Sequence, residues 1–228
     1  MNDLEKYFFN VSEKSISKWR HYFDVYDRYF SKFRNRPITM LEIGVQRGGS
    51  AQMWRNYFHA QSIIVGVDID PECKKHEVNG VNIHIGSQND SVFINELIAR
   101  YGSFDVIIDD GSHDNEHQVN TFSWMFNSVC DGGVYLIEDV HTSYWAAHGG
   151  GFKKPGTCIE FAKNLVDDVN MYMAMIDPTY YTNNVGGIHF YPGMIVIEKQ
   201  KKEYAPYDLV CESGKIVHLP EKVKIVGK

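Results

Sequence analysis

A chain of 228 residues, 43% hydrophobic and 23% charged, has the composition of an ordinary globular domain with room for a sizeable core. Its formal net charge of −6 argues against a protein that binds duplex nucleic acid, because such a protein normally needs a basic face. The four cysteines are scattered without a C-x-x-C pair, which argues against a zinc or redox site. Four free thiols in a chain of this size fit a reducing compartment, so we predict a cytoplasmic location. The first ten residues are too polar for a signal peptide, and no later segment reads as a membrane span.

The first predicted element is a helix over residues 16–33. Its aromatic side chains recur at steps of three and four residues and therefore form one face of the helix. Such a face usually packs on the protein core or on a neighbouring subunit, so it also hints at a homo-oligomer. Arg36 and Pro37 end this helical extension, which we place at residues 1–36.

From Pro37 onwards, strands and helices alternate as in a parallel sheet with crossover helices. A late antiparallel hairpin is predicted on either side of Pro192-Gly193, at residues 187–191 and 194–199, and a further hairpin around Ser213-Gly214. The predicted strands before these hairpins are residues 38–45, 63–69, 81–85, 104–109 and 134–137. The predicted helices are residues 50–60, 91–101, 118–130 and 158–169.

Five strand–helix units followed by a late hairpin are typical of the Rossmann-like class I methyltransferases, α/β proteins with a mostly parallel seven-stranded sheet. A dinucleotide dehydrogenase would more often continue with parallel units or a second domain. We therefore predict one domain over residues 1–228, with a catalytic core at 37–199 and a C-terminal extension at 200–228.

The first predicted strand ends in a glycine-rich turn at residues 44–50, directly after Glu42. Gln46 occupies the second glycine position of the dinucleotide fingerprint G-x-G-x-x-G, which disfavours NAD. A carboxylate at Glu42 would repel a pyrophosphate and attract the ammonium group of a methionine. The turn therefore predicts S-adenosylmethionine as the cofactor, bound by Glu42, Gly44, Gly48 and Ser50.

Later strand ends complete the predicted cofactor site. Asp68 ends the second strand, where it is placed to accept hydrogen bonds from both ribose hydroxyls, whereas Asp70, before Pro71, is predicted to cap the turn. Ser87 and Gln88 follow the third strand and suit an adenine edge. The remaining residue assigned to this site is Asp109, at the end of the fourth strand.

Acidic residues also gather at the ends of the fourth and fifth predicted strands, at Asp109, Asp110, Glu138 and Asp139. Neighbouring strand ends of a parallel sheet open into one crevice, so this negative charge needs a cation unless some of the acids stay protonated. Oxygen ligands suit Mg²⁺ best and also Mn²⁺ or Ca²⁺. Such a metal would lower the pKa of a substrate hydroxyl, and His113 is predicted to remove its proton. Helix capping explains one carboxylate at most.

The chain resembles the macrolide sugar O-methyltransferases, such as the mycinamicin and tylosin deoxysugar enzymes, in LEIGV at 41–45, IDDGSH at 108–113 and IEDVHTSYW at 137–145. The resemblance covers about residues 37–199. It implies metal ligands at Asp110, Glu138 and Asp139, a base at His113, and a sugar hydroxyl with a neighbouring oxygen as the acceptor. The family carries a larger N-terminal region than the 36 residues before Pro37, so acceptor recognition and assembly are not carried over. A macrolide, a surface-polysaccharide precursor and a nucleotide-linked sugar are equally plausible acceptors.

Three alternatives stay open at the level of sequence. A nicotinamide-dependent oxidoreductase is disfavoured by the turn, and a non-catalytic cofactor-binding protein is disfavoured by the acidic cluster. HDNEH at 113–117 matches the inverted zinc-peptidase signature H-x-x-E-H, in which two histidines on one helix bind Zn²⁺. Separately, the glycine- and aromatic-rich residues 142–156 are predicted to form either a mobile lid over a sugar or an ordinary surface loop.

Overall fold

Seven strands form one central sheet in the computed structural model, which describes residues 1–10 and 14–218. The order is β3-β2-β1-β4-β5-β7-β6, in which β3 to β5 pair in parallel and β7 runs antiparallel to both its neighbours. This confirms the Rossmann-like class I methyltransferase sheet with its late hairpin. The strands are β1 (Thr39–Ile43), β2 (Ile63–Asp68), β3 (Val81–Ile85), β4 (Phe104–Asp109), β5 (Val129–Ile137), β6 (Val185–Tyr191) and β7 (Met194–Lys199).

A separate hairpin, β8 (Val210–Glu212) with β9 (Lys215–His218), turns at Ser213-Gly214 as predicted, and the rest of the predicted C-terminal extension, residues 219–228, lies outside the described residues. Among the helices of residues 1–10 and 14–218, none is long and apolar enough to cross a membrane. The helices are α1 (Asp3–Asn10), α2 (Tyr22–Phe30), α3 (Gly49–Tyr57), α4 (Ser91–Tyr101), α5 (Asn115–Met125), α6 (Cys158–Ala174) and α7 (Tyr180–Asn184).

Both faces of the sheet are covered by apolar side chains, because successive residues of a strand point to opposite faces. On β4, Val106 and Ile108 belong to the core under α2 and α3, whereas Ile107 belongs to the core under α5 and α6. The aromatic face of α2 packs into the first of these cores; Tyr26 and Phe30 are fully buried there. The aromatic stripe is therefore core packing.

Several predicted elements differ from the structure at their ends, among them the first helix, α5 and β5. The first helix begins at Tyr22 rather than at residue 16, and residues 14–21 run as an irregular segment, because Lys18 is drawn to the acids at the strand ends. Helix α5 begins at Asn115, three residues earlier than predicted, because the Asp114 carboxylate accepts hydrogen bonds from two N–H groups of its first turn. Strand β5 begins at Val129, five residues before its predicted start at residue 134, and its pairing with β4 is irregular there.

The order of the strands brings the ends of β1, β4 and β5 side by side. Asp110 N donates to Ile43 O at 2.9 Å, and Glu138 N donates to Asp109 O at 2.8 Å, so the ladder continues one residue past each strand. These bonds fix the glycine turn and the two acidic segments at one edge of the sheet, as expected for parallel strands.

Candidate active site

A cavity of about 230 Å³ opens at this edge of the sheet. Residues 15–18 form one of its walls, and residues 16–18 among them were predicted to be helical. Six of the predicted site residues line it: Gly44, Ser50, Asp68, Asp110, His113 and Asp139. The other six predicted site residues, all within the described part of the chain, are not in its lining: Glu42, Gly48, Ser87, Gln88, Asp109 and Glu138.

The glycine turn brings the ends of β1 and β4 into close contact. Gly44 has a φ of +96°, and a Cβ atom at this position would collide with the carbonyl group of Asp110. Gly48 has a φ of +74° at the N-cap of α3. Both positions favour glycine, because a side chain would be strained at a positive φ. At Gly44 it would also push the ends of β1 and β4 apart, and at Gly48 it would collide with the His76 side chain.

Asp68 holds the turn through its carboxylate. Its Oδ2 accepts hydrogen bonds from Val45 N at 3.0 Å and from Gln46 N at 2.8 Å, and its Oδ1 accepts one from Asp70 N. Partial burial acts to raise the pKa of Asp68, but these N–H groups outweigh it and lower the pKa. The ionised carboxylate still has lone pairs for further donors. Asp70 caps the short helix that follows, as predicted.

Glu42 faces the protein interior rather than the cavity. The carboxylate is fully buried and accepts hydrogen bonds from Ser50 Oγ at 2.9 Å and from Trp54 Nε1 at 2.8 Å. Burial raises its pKa to about 7. In this structure Glu42 thus joins β1 to α3 and does not line the cavity, so its predicted role in binding the methionine ammonium stays a prediction.

The raised pKa of Glu42 gives a testable dependence of stability on pH. The folded protein keeps this proton up to about pH 7, whereas an unfolded glutamate loses it near pH 4.5. The contribution of Glu42 is therefore complete below about pH 4.5 and declines as the pH rises to about 7, by roughly 3 kcal/mol. We expect the difference in unfolding free energy between wild type and Glu42→Gln to follow this decline. Urea denaturation at several pH values measures it; a difference that does not change with pH contradicts the prediction.

Asp109 and Gln88 bind each other beneath the turn. The Gln88 side-chain amide donates to both Asp109 oxygens and to Thr121 Oγ1, and its carbonyl oxygen accepts from Ser112 N at 2.7 Å. Burial raises the pKa of Asp109 to about 7. Ser87 Oγ accepts from the backbone N–H of Asn89. Both side chains therefore support the ends of β3 and β4, and neither lines the cavity.

An ammonium group lies among the acids at the strand ends. Lys18 Nζ is 2.5 Å from Asp110 Oδ2 and 2.8 Å from Glu138 Oε2, and the Lys18 side chain is only 2% exposed. Burial acts to lower the pKa of Lys18, but Asp110 and Glu138 outweigh it and raise the pKa. Burial and the charge of Asp110 raise the pKa of Glu138 to about 8. Such a group of buried charges is stable only when every member has a partner.

Two tyrosines of α2 hold the acids that follow β5. Tyr26 Oη donates to Glu138 Oε1 at 2.6 Å, and Tyr22 Oη donates to Asp139 Oδ1 at 2.7 Å. Both oxygens of Glu138 are therefore engaged, one by Tyr26 and one by Lys18. Hydroxyl groups in this position orient a carboxylate for whatever it binds.

Asp110, His113 and Asp139 form a group that fits a small divalent cation. Each of them offers a ligand atom, and these atoms lie within 4.8 Å of one another. His113 Nε2 is 3.6 Å from Asp139 Oδ2, whereas its buried Nδ1 has no hydrogen-bond partner in the described part of the protein. Carboxylate oxygens are the ligands that Mg²⁺ and Mn²⁺ prefer. The structure thus brings two of the three predicted metal ligands together with the predicted base, and Glu138 lies on the far side of Lys18.

Residues 41–140 match the methyltransferase domain family. The demethylmacrocin O-methyltransferase of Streptomyces fradiae is 40% identical over 190 residues, which are 76% of this chain and 47% of that protein. The mycinamicin VI 2''-O-methyltransferase of Micromonospora griseorubida is 36% identical over 192 residues, 78% of this chain and 48% of that protein. A solved structure of the MycE methyltransferase, in complex with Mg, SAH and mycinamycin VI, superimposes with a TM-score of 0.77 at 33% identity, over 87% of this chain and 53% of MycE.

The chain has the fold of the class I methyltransferases. Its predicted resemblance to the macrolide sugar O-methyltransferases is confirmed by these relatives. The chain spans about half the length of the curated relatives it matches.

The inverted zinc-peptidase arrangement is not formed in the described part of the chain. His113 has a φ of +56° and precedes α5, whereas His117 lies within α5 and shares a hydrogen bond with Ser112 Oγ at 2.9 Å. The two histidines therefore do not lie one turn apart on one helix, which the motif requires. The match to H-x-x-E-H is a coincidence of sequence.

Sequence reasoning missed Lys18, Tyr22 and Tyr26 as members of the site. The tyrosines gave a usable signal: a tyrosine on an otherwise apolar helix face needs a partner for its hydroxyl when it is buried. Lys18 gave none, because its partners lie 92 and 120 residues further along the chain.

Proposed function

We propose that this methyltransferase transfers a methyl group from S-adenosylmethionine to a hydroxyl group of a sugar carried by a small molecule, with the help of a divalent metal. The observation that carries the proposal is the meeting of Asp110, His113 and Asp139 beside the glycine turn. The names of the relatives support it, since they specify O-methylation, and MycE was solved with Mg and SAH.

The cofactor would bind along the glycine turn. Gly44, Ser50 and Asp68 line the cavity and would contact the methionine and ribose parts directly. The other predicted cofactor residues would act from behind this surface, by shaping the turn or supporting it: Glu42, Gly48, Ser87, Gln88 and Asp109.

The metal would be held by Asp110, Glu138 and Asp139, the set that the family resemblance implies. When bound, it would supply positive charge that lowers the pKa of the acceptor hydroxyl. Tyr22 and Tyr26 would orient Asp139 and Glu138 for it. For Glu138 to reach the same cation as Asp139, Lys18 would have to leave its present place.

His113 would act as the general base at the acceptor oxygen. As the oxygen–carbon bond forms and the carbon–sulfur bond breaks, the hydroxyl proton passes to His113 Nε2 and S-adenosylhomocysteine leaves. The imidazole is held in place through its backbone, because Thr142 Oγ1 donates to the His113 carbonyl at 2.8 Å. Asp139, at 3.6 Å from Nε2, would stabilise the imidazolium that forms.

The acceptor remains a class rather than a compound: a glycosylated natural product, a nucleotide sugar or a precursor of a surface polysaccharide. A screen of methyl transfer against these three groups, with Mg²⁺ or with EDTA, tests the proposal, and full activity in EDTA contradicts the metal. Calorimetry with S-adenosylhomocysteine and with NAD tests the cofactor.

Four further features of the protein stay predictions: the domain limits, the cytoplasmic location, the absence of nucleic-acid binding and the formation of a homo-oligomer.

Trp145 is expected to contribute to acceptor binding. Its indole is 52% exposed and lies 4.8 Å from the His141 ring, whose Nδ1 is 4.0 Å from Asp139. An aromatic platform of this kind contributes about 1.4 kcal/mol to stacking, so Trp145→Ala should raise the acceptor KM by about tenfold. Steady-state kinetics at saturating cofactor measure it. Phe152→Ala, an 80% exposed residue further along the same loop, serves as the control. An unchanged KM and turnover for Trp145→Ala would remove the predicted lid from consideration.

A further inference from the structure

The segment of residues 14–21, which we call the strap, crosses the mouth of the active site. Its residues 15–18 form one wall of the cavity. The backbone carbonyl of Ser15 and the side chain of Ile16 lie so close to Gly49 that a Cβ atom on Gly49 would collide with both. The strap therefore rests directly on the turn along which the cofactor is proposed to bind.

The strap also places a positive charge among the proposed metal ligands. Lys18 Nζ bonds one oxygen of Asp110 and one of Glu138, and the side chain is almost fully buried between them. A divalent cation that uses both carboxylates would lie within a few ångströms of the ammonium, in a poorly solvated place where like charges repel strongly. Lys18 and the metal therefore exclude each other from Asp110 and Glu138.

The size of the cavity agrees with this exclusion. At about 230 Å³ it is smaller than the pockets of roughly 300–1,000 Å³ that usually hold small molecules. Removal of the strap would open the wall formed by residues 15–18 and free both acids at once.

We propose that Lys18 is an internal competitor for the metal: its ammonium neutralises Asp110 and Glu138 in the metal-free protein, and metal binding expels it together with the strap. The inference rests on the metal site of the proposed function. The strap would thereby regulate metal binding. The larger the fraction of molecules in which Lys18 occupies the acids, the lower the apparent affinity for the metal.

Binding of Mn²⁺ tests the competition without any need for turnover. Titration of wild type and Lys18→Met, followed by the electron paramagnetic resonance signal of free Mn²⁺, should show at least about tenfold tighter binding in the variant. Arg20→Met is the matched control: it removes a positive charge from the same strap, but the Arg20 side chain is 77% exposed and pairs with Glu5. Its Mn²⁺ affinity should equal that of the wild type.

Chemical labelling of the wild type provides a second readout that does not depend on a variant's folding. Acetylation of amines, followed by mass spectrometry, should modify Lys18 slowly in the metal-free protein and much faster in saturating Mn²⁺. Lys6, 58% exposed, is the internal reference and should be modified equally in both conditions. If Mn²⁺ binds but leaves the labelling of Lys18 unchanged, the expulsion is wrong.

The outcomes separate the inference from the function on which it rests. Equal or weaker Mn²⁺ binding in Lys18→Met, with binding lost in Asp139→Ala, overturns the competition and keeps the metal site. No Mn²⁺ binding in wild type and in Lys18→Met overturns the metal site itself, and the competition with it.

Discussion

Replacement of Asp110 by alanine is expected to lower the rate of methyl transfer by about a thousandfold or more. Asp110 directly follows β4 and lies close to both Lys18 and His113. Like Asp139, it belongs both to the observed group of possible ligands and to the ligand set that the family resemblance implies. Without Asp110 the proposed metal would be lost, and with it the positive charge that would lower the pKa of the acceptor hydroxyl. Such a charge is worth several kcal/mol in the transition state. The test is to measure both turnover in Mg²⁺ and binding of S-adenosylhomocysteine. Turnover should fall as stated, whereas the affinity for S-adenosylhomocysteine should be largely kept.

Asp167→Ala is the control for Asp110→Ala, because Asp167 lies exposed on α6, away from the cavity lining. It should leave both measurements at wild-type values. A rate for Asp110→Ala within tenfold of wild type would exclude the metal role of this residue.

His113→Ala should slow methyl transfer by about two to four orders of magnitude, the usual range for loss of a positioned general base. The imidazole lines the cavity and lies near both Asp110 and Asp139, so its removal takes away the proton acceptor without disturbing the carboxylates. Single-turnover rates measured at several pH values report the loss. Without the histidine, the proton must be removed by hydroxide, so the rate of the variant should keep rising with pH in the range where the wild-type rate has become constant.

His117→Ala provides the comparison for His113→Ala. It removes a histidine four residues away that lies on α5 and binds Ser112 instead of facing the acids. Its rate should stay within a few-fold of the wild type. A near-normal rate for His113→Ala would assign proton removal to another group.

Local pattern predicted most of the sheet, and four elements match at both ends: β3, α4, β4 and β7. In α4 the reason is visible in the sequence, because Asp90 caps its first turn and Gly102, whose φ of +78° favours glycine, follows its last residue. The helix predicted over residues 16–33 was wrong before Tyr22, since an aromatic period does not reveal that Lys18 has partners on β4 and β5.

The members of the site were predicted better than the directions of their side chains. The strand ends identified Asp110, His113 and Asp139, because the edge of a parallel sheet gathers whatever follows each strand. Glu42 and Gln88 follow the same rule, yet both turn inward, because Trp54, Thr121 and Ser112 offer buried partners. Such choices depend on contacts between elements, which periodicity and spacing do not encode.

Tyr22 and Tyr26 stand four residues apart, about 6 Å along α2. One helix therefore donates hydrogen bonds to two neighbouring carboxylates, and a small rotation of α2 about its axis would change the angle between these carboxylates. Selection among Mg²⁺, Mn²⁺ and Ca²⁺ depends on such angles, because the three ions differ in how strictly they demand octahedral coordination. Substitutions on the buried face of α2 should therefore change which metal ion the site prefers, while the sheet itself stays the same.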